Sequence, residues 1–231
     1  MEAINSLNAN AFEIKALQNS KSKIVNSLLL SHFISSDNSI VGFWKMDETE
    51  EQLLTLCDLT DEDKSLLSKC SAPKRRIEIL SVRALLKEIG INQAIHYNDR
   101  KPFVNDGYIS ISHSQNIAAI IWNRNFPVGI DVETISPRIQ RIAKRAFSEQ
   151  ELKFAEDDIK KLTILWNCKE CVFKLANTEG IDFRQMIQVE DFYSENINCS
   201  LTKGNQQTKY ILTSFEIEGN SGVYGKKHIA E

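Results

Sequence analysis

Two carboxylates two positions apart, Asp131 and Glu133 in the run Gly129-Ile130-Asp131-Val132-Glu133, are the first residues of this chain suited to chemistry. On a strand, residues i and i+2 point to the same side, so the two acids stand together. Like charges held that way repel unless a cation lies between them, and hard oxygen donors suit Mg2+. A solvated strand end is the plainer reading of the same pair. The second run is Trp166-Asn167-Cys168-Lys169-Glu170-Cys171-Val172-Phe173-Lys174, in which Trp166, Glu170 and Lys174 share one helical stripe. An exposed Glu-Lys pair at i, i+4 is worth only about 0.2–0.5 kcal/mol and can be functionally silent. The tryptophan on the stripe argues instead for a buried or cleft-lining face. There a carboxylate can take a proton and an ammonium can neutralise phosphate.

A third stretch is Lys101-Pro102-Phe103, followed by Ser110-Ile111-Ser112-His113-Ser114. The residue before a proline is extended, which leaves Lys101 open to a ligand. His113 falls where a strand yields to a turn, amid hydroxyls. A lone histidine is more often a structural hydrogen-bonder than a base. No Ser-His-Asp ordering or nucleophile elbow accompanies it, so a hydrolase is not indicated.

These groups need elements to hold them. Ile40 to Met46 is short, apolar and rich in β-formers and reads as the first core strand, while Asp47 to Lys69 reads as one or two helices. Lys74 to Ile89 is predicted helical, with Ile77, Leu80, Ala84 and Leu85 on one side and Gly90 as the stop; Arg76 and Arg83 fall two turns apart on one face. Ile109 to Ser112 and Ile117 to Trp122 read as strands. Val128 to Glu133 reads as the next, reached through a hairpin connection at Asn123-Arg124-Asn125. Ser148 and Glu151 form a capping box with Phe147 and Leu152 as its staple. A longer helix follows from about Ile159 to Asn177, ended by Gly180, and Lys209 to Ile217 with Gly219-Asn220-Ser221-Gly222 reads as strand and hairpin turn. The class is α+β (mixed α/β). Residues 1–38, polar and poorly patterned, read as an extension, 39–125 as a first half and 126–231 as a second half carrying the metal site.

The chain has 231 residues, 42% of them hydrophobic and 26% charged, ordinary for a globular protein. A net charge of −3 argues against non-specific nucleic-acid binding, which needs a basic excess. No run of 18 apolar residues is present, so no membrane span is expected, and Ile24 to Ile34 is too interrupted for a targeting signal. Five cysteines do not suggest a disulfide framework, and a reduced, cytoplasmic protein is the default. Cys168 and Cys171 form a C-x-x-C that reads as a thiol pair or half a zinc site. Their mid-helix place and the scattered Cys57, Cys70 and Cys199 weigh against both.

In order, K-P, S-x-S-H, G-I-D-V-E, F-S-x-x-E and W-x-x-K-E-x-x-x-K resemble the 4′-phosphopantetheinyl transferase superfamily, in its larger, monomeric type that activates siderophore, surfactin and fatty-acid carrier proteins. The resemblance covers roughly residues 40 to 215 and implies two similar halves with pseudo-twofold symmetry, each a small sheet packed with helices. It implies transfer of the phosphopantetheine arm of coenzyme A to a serine of an apo acyl, peptidyl or aryl carrier protein, with Mg2+ as cofactor and adenosine 3′,5′-bisphosphate released. Asp131, Glu133 and Glu170 would then be the metal ligands, and Glu170 also the base for the acceptor serine. Lys174 would steady the pyrophosphate. Lys101, Ser112, His113 and Arg83 would bind the coenzyme, with Arg75 and Arg76 as alternatives to Arg83 at its 3′-phosphate. Asn98-Asp99-Arg100 departs from the family, which has a glycine before the lysine. A catalytically silent module of the same fold is the rival reading. Finally, Arg138, Arg141 and Arg145 fall at i, i+3 and i+7 and form one basic stripe if Pro137 opens a helix, fit either for an acidic carrier or merely for solvent.

Overall fold

The computed structural model describes residues 29–99, 101–191 and 196–228. Strands and helices mix in it as an α+β protein. Contacts divide the chain into two compact units, one reaching to Val132 and the other running from Glu133.

The first unit holds β1 (Leu29–Ile34), β2 (Ile40–Lys45), α1 (Glu50–Leu56), α2 (Asp61–Lys69), α3 (Pro73–Glu88), β3 (His96–Asn98), β4 (Lys101–Phe103), β5 (Tyr108–His113) and β6 (Ile117–Asn123). Four strands make an antiparallel sheet in the order β1-β2-β6-β5, and β3 pairs with β4 as a separate ribbon. β6 is central and apolar nearly throughout, with Ile117, Ile120 and Ile121 buried. α3 packs on β2 and β6 through Leu80 and Leu85. Gly42 on β2 makes that approach close, because a Cβ there would meet Leu85 Cδ1 at 3.1 Å and Ile89 Cδ1 at 3.2 Å. α1 and α2 each start on a capping box, Thr49 with Gln52 and Thr60 with Asp63. Thus 47–69 resolves into two helices.

Leu29–Ile34, assigned to a polar extension by its sequence, is instead an edge strand on β2. An edge needs backbone pairing but no continuous apolar face, so Ser31 and His32 conceal it. Residues 1–28 of that expected extension and Arg100 lie outside the described residues.

The connection after β6 is not a hairpin. The next strand, β7 (Val128–Thr134), does not neighbour β6 in either sheet. Asn123, buried at the end of β6, redirects the chain: its Oδ1 accepts from the Asn125 and Phe126 amides at 2.8 and 3.3 Å. Its Nδ2 donates to Ser39 Oγ at 3.0 Å, which pins the turn. An Asx turn of this kind can end a strand without pairing it to the next.

In the second unit the end of β7 leads through a 3-10 turn (Pro137–Ile139) into α4 (Gln140–Ala146), α5 (Glu149–Ala155) and α6 (Ile159–Ala176). β8 (Ile187–Asp191), β9 (Asn196–Lys203), β10 (Gln206–Ile217) and β11 (Asn220–Lys227) follow as an antiparallel meander. The Ser148–Glu151 capping box opens α5, and Phe147 and Leu152 join one core cluster. α6 stops at Asn177, which adopts φ 48°, three residues before Gly180. The β10–β11 turn is Glu218-Gly219, both at positive φ (47° and 73°), so Asn220 to Gly222 lie in β11 rather than in the turn. No helix among the described residues is long and apolar enough to cross a membrane.

Candidate functional site

The S-x-S of β5 is a docking device. Ser110 and Ser112 point to one side of an edge strand and are both buried. Ser110 Oγ accepts from the Ile130 amide at 3.2 Å, and Ser112 Oγ accepts from the Val132 amide at 3.2 Å. Serine hydroxyls thus take up amides of β7 that a neighbouring strand would otherwise satisfy. The Ser112 hydroxyl also donates to Asp131 Oδ1 at 2.9 Å, fixing a carboxylate that is only 4% exposed. Buried carboxylates need such partners or a cation. Ser112 and Asp131 are therefore brought together directly.

On the opposite side of β5, Ile111 and the half-buried His113 line a cavity of about 150 Å3, with Arg75, Arg83, Tyr97 and Pro102 among its other walls. His113 and Arg83 therefore share a cavity. Lys101 flanks it through Pro102 rather than lining it, and partial burial pulls its ammonium below the usual lysine pKa. Arg83 is deeply buried. Its Nε donates to Asp63 Oδ1 at 2.8 Å, its Nη1 donates to the Tyr97 hydroxyl at 3.3 Å, and its guanidinium lies over the Tyr97 ring. Arg76 turns elsewhere, to Glu50 and the carbonyls of Leu67 and Cys70. It does not line the cavity.

In the second unit, Glu133 is half-buried, next to Thr134, whose hydroxyl donates to Asn220 Oδ1 at 2.9 Å. Glu170 and Lys174 are both half-buried, one turn apart on α6, and the Trp166 ring packs 5.5 Å from that of Phe183. Asn177 and the Asp158 cap bound the helix that carries them.

Sequence reasoning missed the group that anchors this helix. Lys169 is fully buried, ion-paired to Glu151 at 2.9 Å, and donates to the carbonyls of Phe183 (2.7 Å) and Ile187 (2.6 Å). Glu151 does double duty: Oε2 accepts from the Ser148 amide at 2.7 Å and Oε1 from the Val189 amide at 3.1 Å. Burial pulls the Lys169 pKa down, and Glu151 works against that pull. The signal was available, since Leu165, Cys168, Lys169 and Val172 fall at i, i+3, i+4 and i+7, a core stripe with one lysine in it.

Cys168, Cys171 and Cys199 are free thiols buried in the second-unit core. Burial, and then Cys199, push the Cys168 thiol far up, which makes it unreactive. The C-x-x-C is core packing. Among the described residues no three His, Cys, Asp or Glu side chains gather into a metal cage.

Residues 127–227 match the model of the 4′-phosphopantetheinyl transferase superfamily. The chain is 29% identical over 174 residues to the 4′-phosphopantetheinyl transferase HetI of Nostoc sp., a match covering 64% of this chain and 73% of that protein. It is 27% identical over 182 residues to the 4′-phosphopantetheinyl transferase gsp of Aneurinibacillus migulanus, covering 74% of this chain and 70% of the relative. The stretch matched by the family model contains Gly129 to Glu133 and Trp166 to Lys174 alike, so over its second part, where both motifs lie, the chain is similar to the 4′-phosphopantetheinyl transferase superfamily.

Proposed function

We propose that this protein transfers the 4′-phosphopantetheine arm of coenzyme A to a serine of an apo carrier protein, as a monomeric cytoplasmic enzyme that requires Mg2+. The observation that carries the reading is Asp131, a buried carboxylate held in place by Ser112 on the strand that also bears Glu133. Five free or scattered cysteines suit a reducing compartment. Each unit taken alone is an antiparallel sheet with one long helix, α3 in the first and α6 in the second, which supports the plan of two similar halves.

The donors fit the metal. Asp131, Glu133 and Glu170 are hard oxygen ligands, and Mg2+ commonly takes only one or two carboxylates alongside substrate phosphates and water, so a preformed cage of three is not required. When bound, the ion would neutralise charge on the pyrophosphate.

The chain's own residues do the rest. The carrier serine oxygen bonds to the phosphorus that bears the pantetheine arm. The bond from that phosphorus to the bridging oxygen breaks, and adenosine 3′,5′-bisphosphate leaves. Glu170 takes the serine proton, and Lys174 offsets charge on the departing phosphate. Lys101, His113 and Arg83 hold the coenzyme's 3′-phosphate end, and Ser112 keeps Asp131 oriented.

Incubation with coenzyme A, Mg2+ and an apo carrier protein, with chromatographic detection of adenosine 3′,5′-bisphosphate, tests the proposal. Release that depends on carrier and metal is expected. Coenzyme A binding without release against a panel of acyl, peptidyl and aryl carriers would mark a catalytically silent module instead.

A further inference from the structure

In the second unit, the end of β7 and the middle of α6 are tied to the same short piece of β11. Asn167 on α6 is fully buried, and its Nδ2 donates to the Ser221 carbonyl at 2.8 Å, with the Ser221 hydroxyl at 3.4 Å. Asn220, the preceding residue of β11, is also buried and accepts the Thr134 hydroxyl at its Oδ1 (2.9 Å). Its Nδ2 donates to the carbonyls of Ile217 (3.0 Å) and Glu218 (2.9 Å), which fixes the amide in that orientation and closes the β10–β11 turn. Asn220-Ser221 thus grips β7 through Thr134 and α6 through Asn167. Thr134 directly follows Glu133, and Glu170 lies about one helical turn beyond Asn167.

Packing does not call for an amide at position 167. The Asn167 Oδ1 is buried with no hydrogen-bond partner among the described residues, and a polar atom stranded in that way costs stability. A leucine of similar volume would avoid the penalty. Buried polar links do something that apolar contacts do not, in that they hold packed elements in one arrangement. Mg2+ tolerates little departure from octahedral geometry, so drift of one carboxylate against another would matter to it.

We propose that Asn167 is a positioning residue for the metal centre: with Thr134 and Asn220 it forms a bridge behind the acids that sets Glu170 against Glu133. The inference rests on the reading of those two acids as Mg2+ ligands given above. It adds side chains that touch neither metal nor substrate.

Mn2+ binding to the full chain, with coenzyme A present and no carrier, can be followed by electron paramagnetic resonance and involves no turnover. Asn167→Leu and Thr134→Val, each close in shape to the residue replaced, should both weaken Mn2+ binding by about tenfold, the low end for loss of a group that supports a metal ligand. The double variant should bind within about twofold of the weaker single one, because two links of one bridge are not lost independently. Coenzyme A affinity in EDTA should stay within about twofold of wild type in all three. A loss below about threefold in either single variant, or multiplication of the two losses in the double, overturns the bridge. A parallel loss of coenzyme A affinity in EDTA overturns it too, since that marks a general loosening of the fold. In those cases wild type still binds Mn2+ and the metal reading stands. A wild type that binds no Mn2+ in the presence of coenzyme A overturns both.

Discussion

Lys169 and Glu151 form an ion pair of 2.9 Å from which solvent is excluded, the lysine 0% and the glutamate 4% exposed. One partner sits on α6 between Cys168 and Glu170, and the other closes the capping box of α5. The pair therefore couples the start of one helix to the register of the next, and with it the places of Glu170 and Lys174.

Removing the lysine leaves a buried carboxylate without its cation. Lys169→Met should lower stability by roughly 3–5 kcal/mol, read by urea denaturation, because breaking one side of a buried pair is costly. Lys169→Met combined with Glu151→Gln should recover part of that loss. A loss below about 1 kcal/mol in the single variant would mean that the pair behaves as a surface bridge.

Ser112 links β5 to β7 through two hydrogen bonds, one of them to Asp131. Ser112→Ala should cost about 1–3 kcal/mol, since it strands the buried Val132 amide and removes a hydrogen bond to the Asp131 carboxylate. The Mg2+ concentration for half-maximal transfer should also rise. A variant that melts earlier yet titrates with Mg2+ as wild type does would confine Ser112 to a structural role.

The helices and their caps were legible because their signals are local. Ser148 and Glu151 lie three residues apart, and the apolar spacing of α3 and α6 is continuous. What stayed hidden depends on residues far apart in the chain. Ser110 and Ser112 read as polar strand positions until β7 is seen to dock on them. Arg83 cannot be told from Arg75 without Asp63, which lies on another helix, and β6 looked continuous with a hairpin because an Asx turn and a hairpin turn share residue types. The pairing of Asp131 and Glu133 on one strand was legible from their spacing, whereas the burial of Asp131 was not.

Burial raises the Cys57 thiol to a pKa of about 11 from 9.0, and the thiol donates to the Leu80 carbonyl at 3.3 Å. A folded-state pKa above the unfolded value means that the native state holds its proton longer, so the contribution is intact below pH 9 and fades as pH rises toward 11. In reducing buffer, the stability difference between wild type and Cys57→Ala should shrink over that interval. A difference that stays constant across it would show that Cys57 does not titrate as described.

The arginines beyond β7 are exposed, but their spacing is broken. Arg138 sits in the 3-10 turn, and only Arg141 and Arg145 are on α4, at i, i+4. Replacing Arg141 and Arg145 by Glu should raise the apparent KM for an acidic carrier and flatten its salt dependence, leaving coenzyme A affinity near wild type. Unchanged carrier KM and salt slope would assign these arginines to solvent.

Covalent transfer is the most direct readout of the proposed activity. Wild-type protein, Mg2+ and coenzyme A should shift an apo carrier by the mass of one phosphopantetheine arm, located on its serine by peptide mass spectrometry. Asp131→Ala and Glu170→Ala, shown to be folded by circular dichroism, should leave the carrier unmodified. A panel of acyl, peptidyl and aryl carriers that all stay at apo mass with wild type, or transfer at the wild-type rate by either variant in limiting Mg2+, would contradict the account.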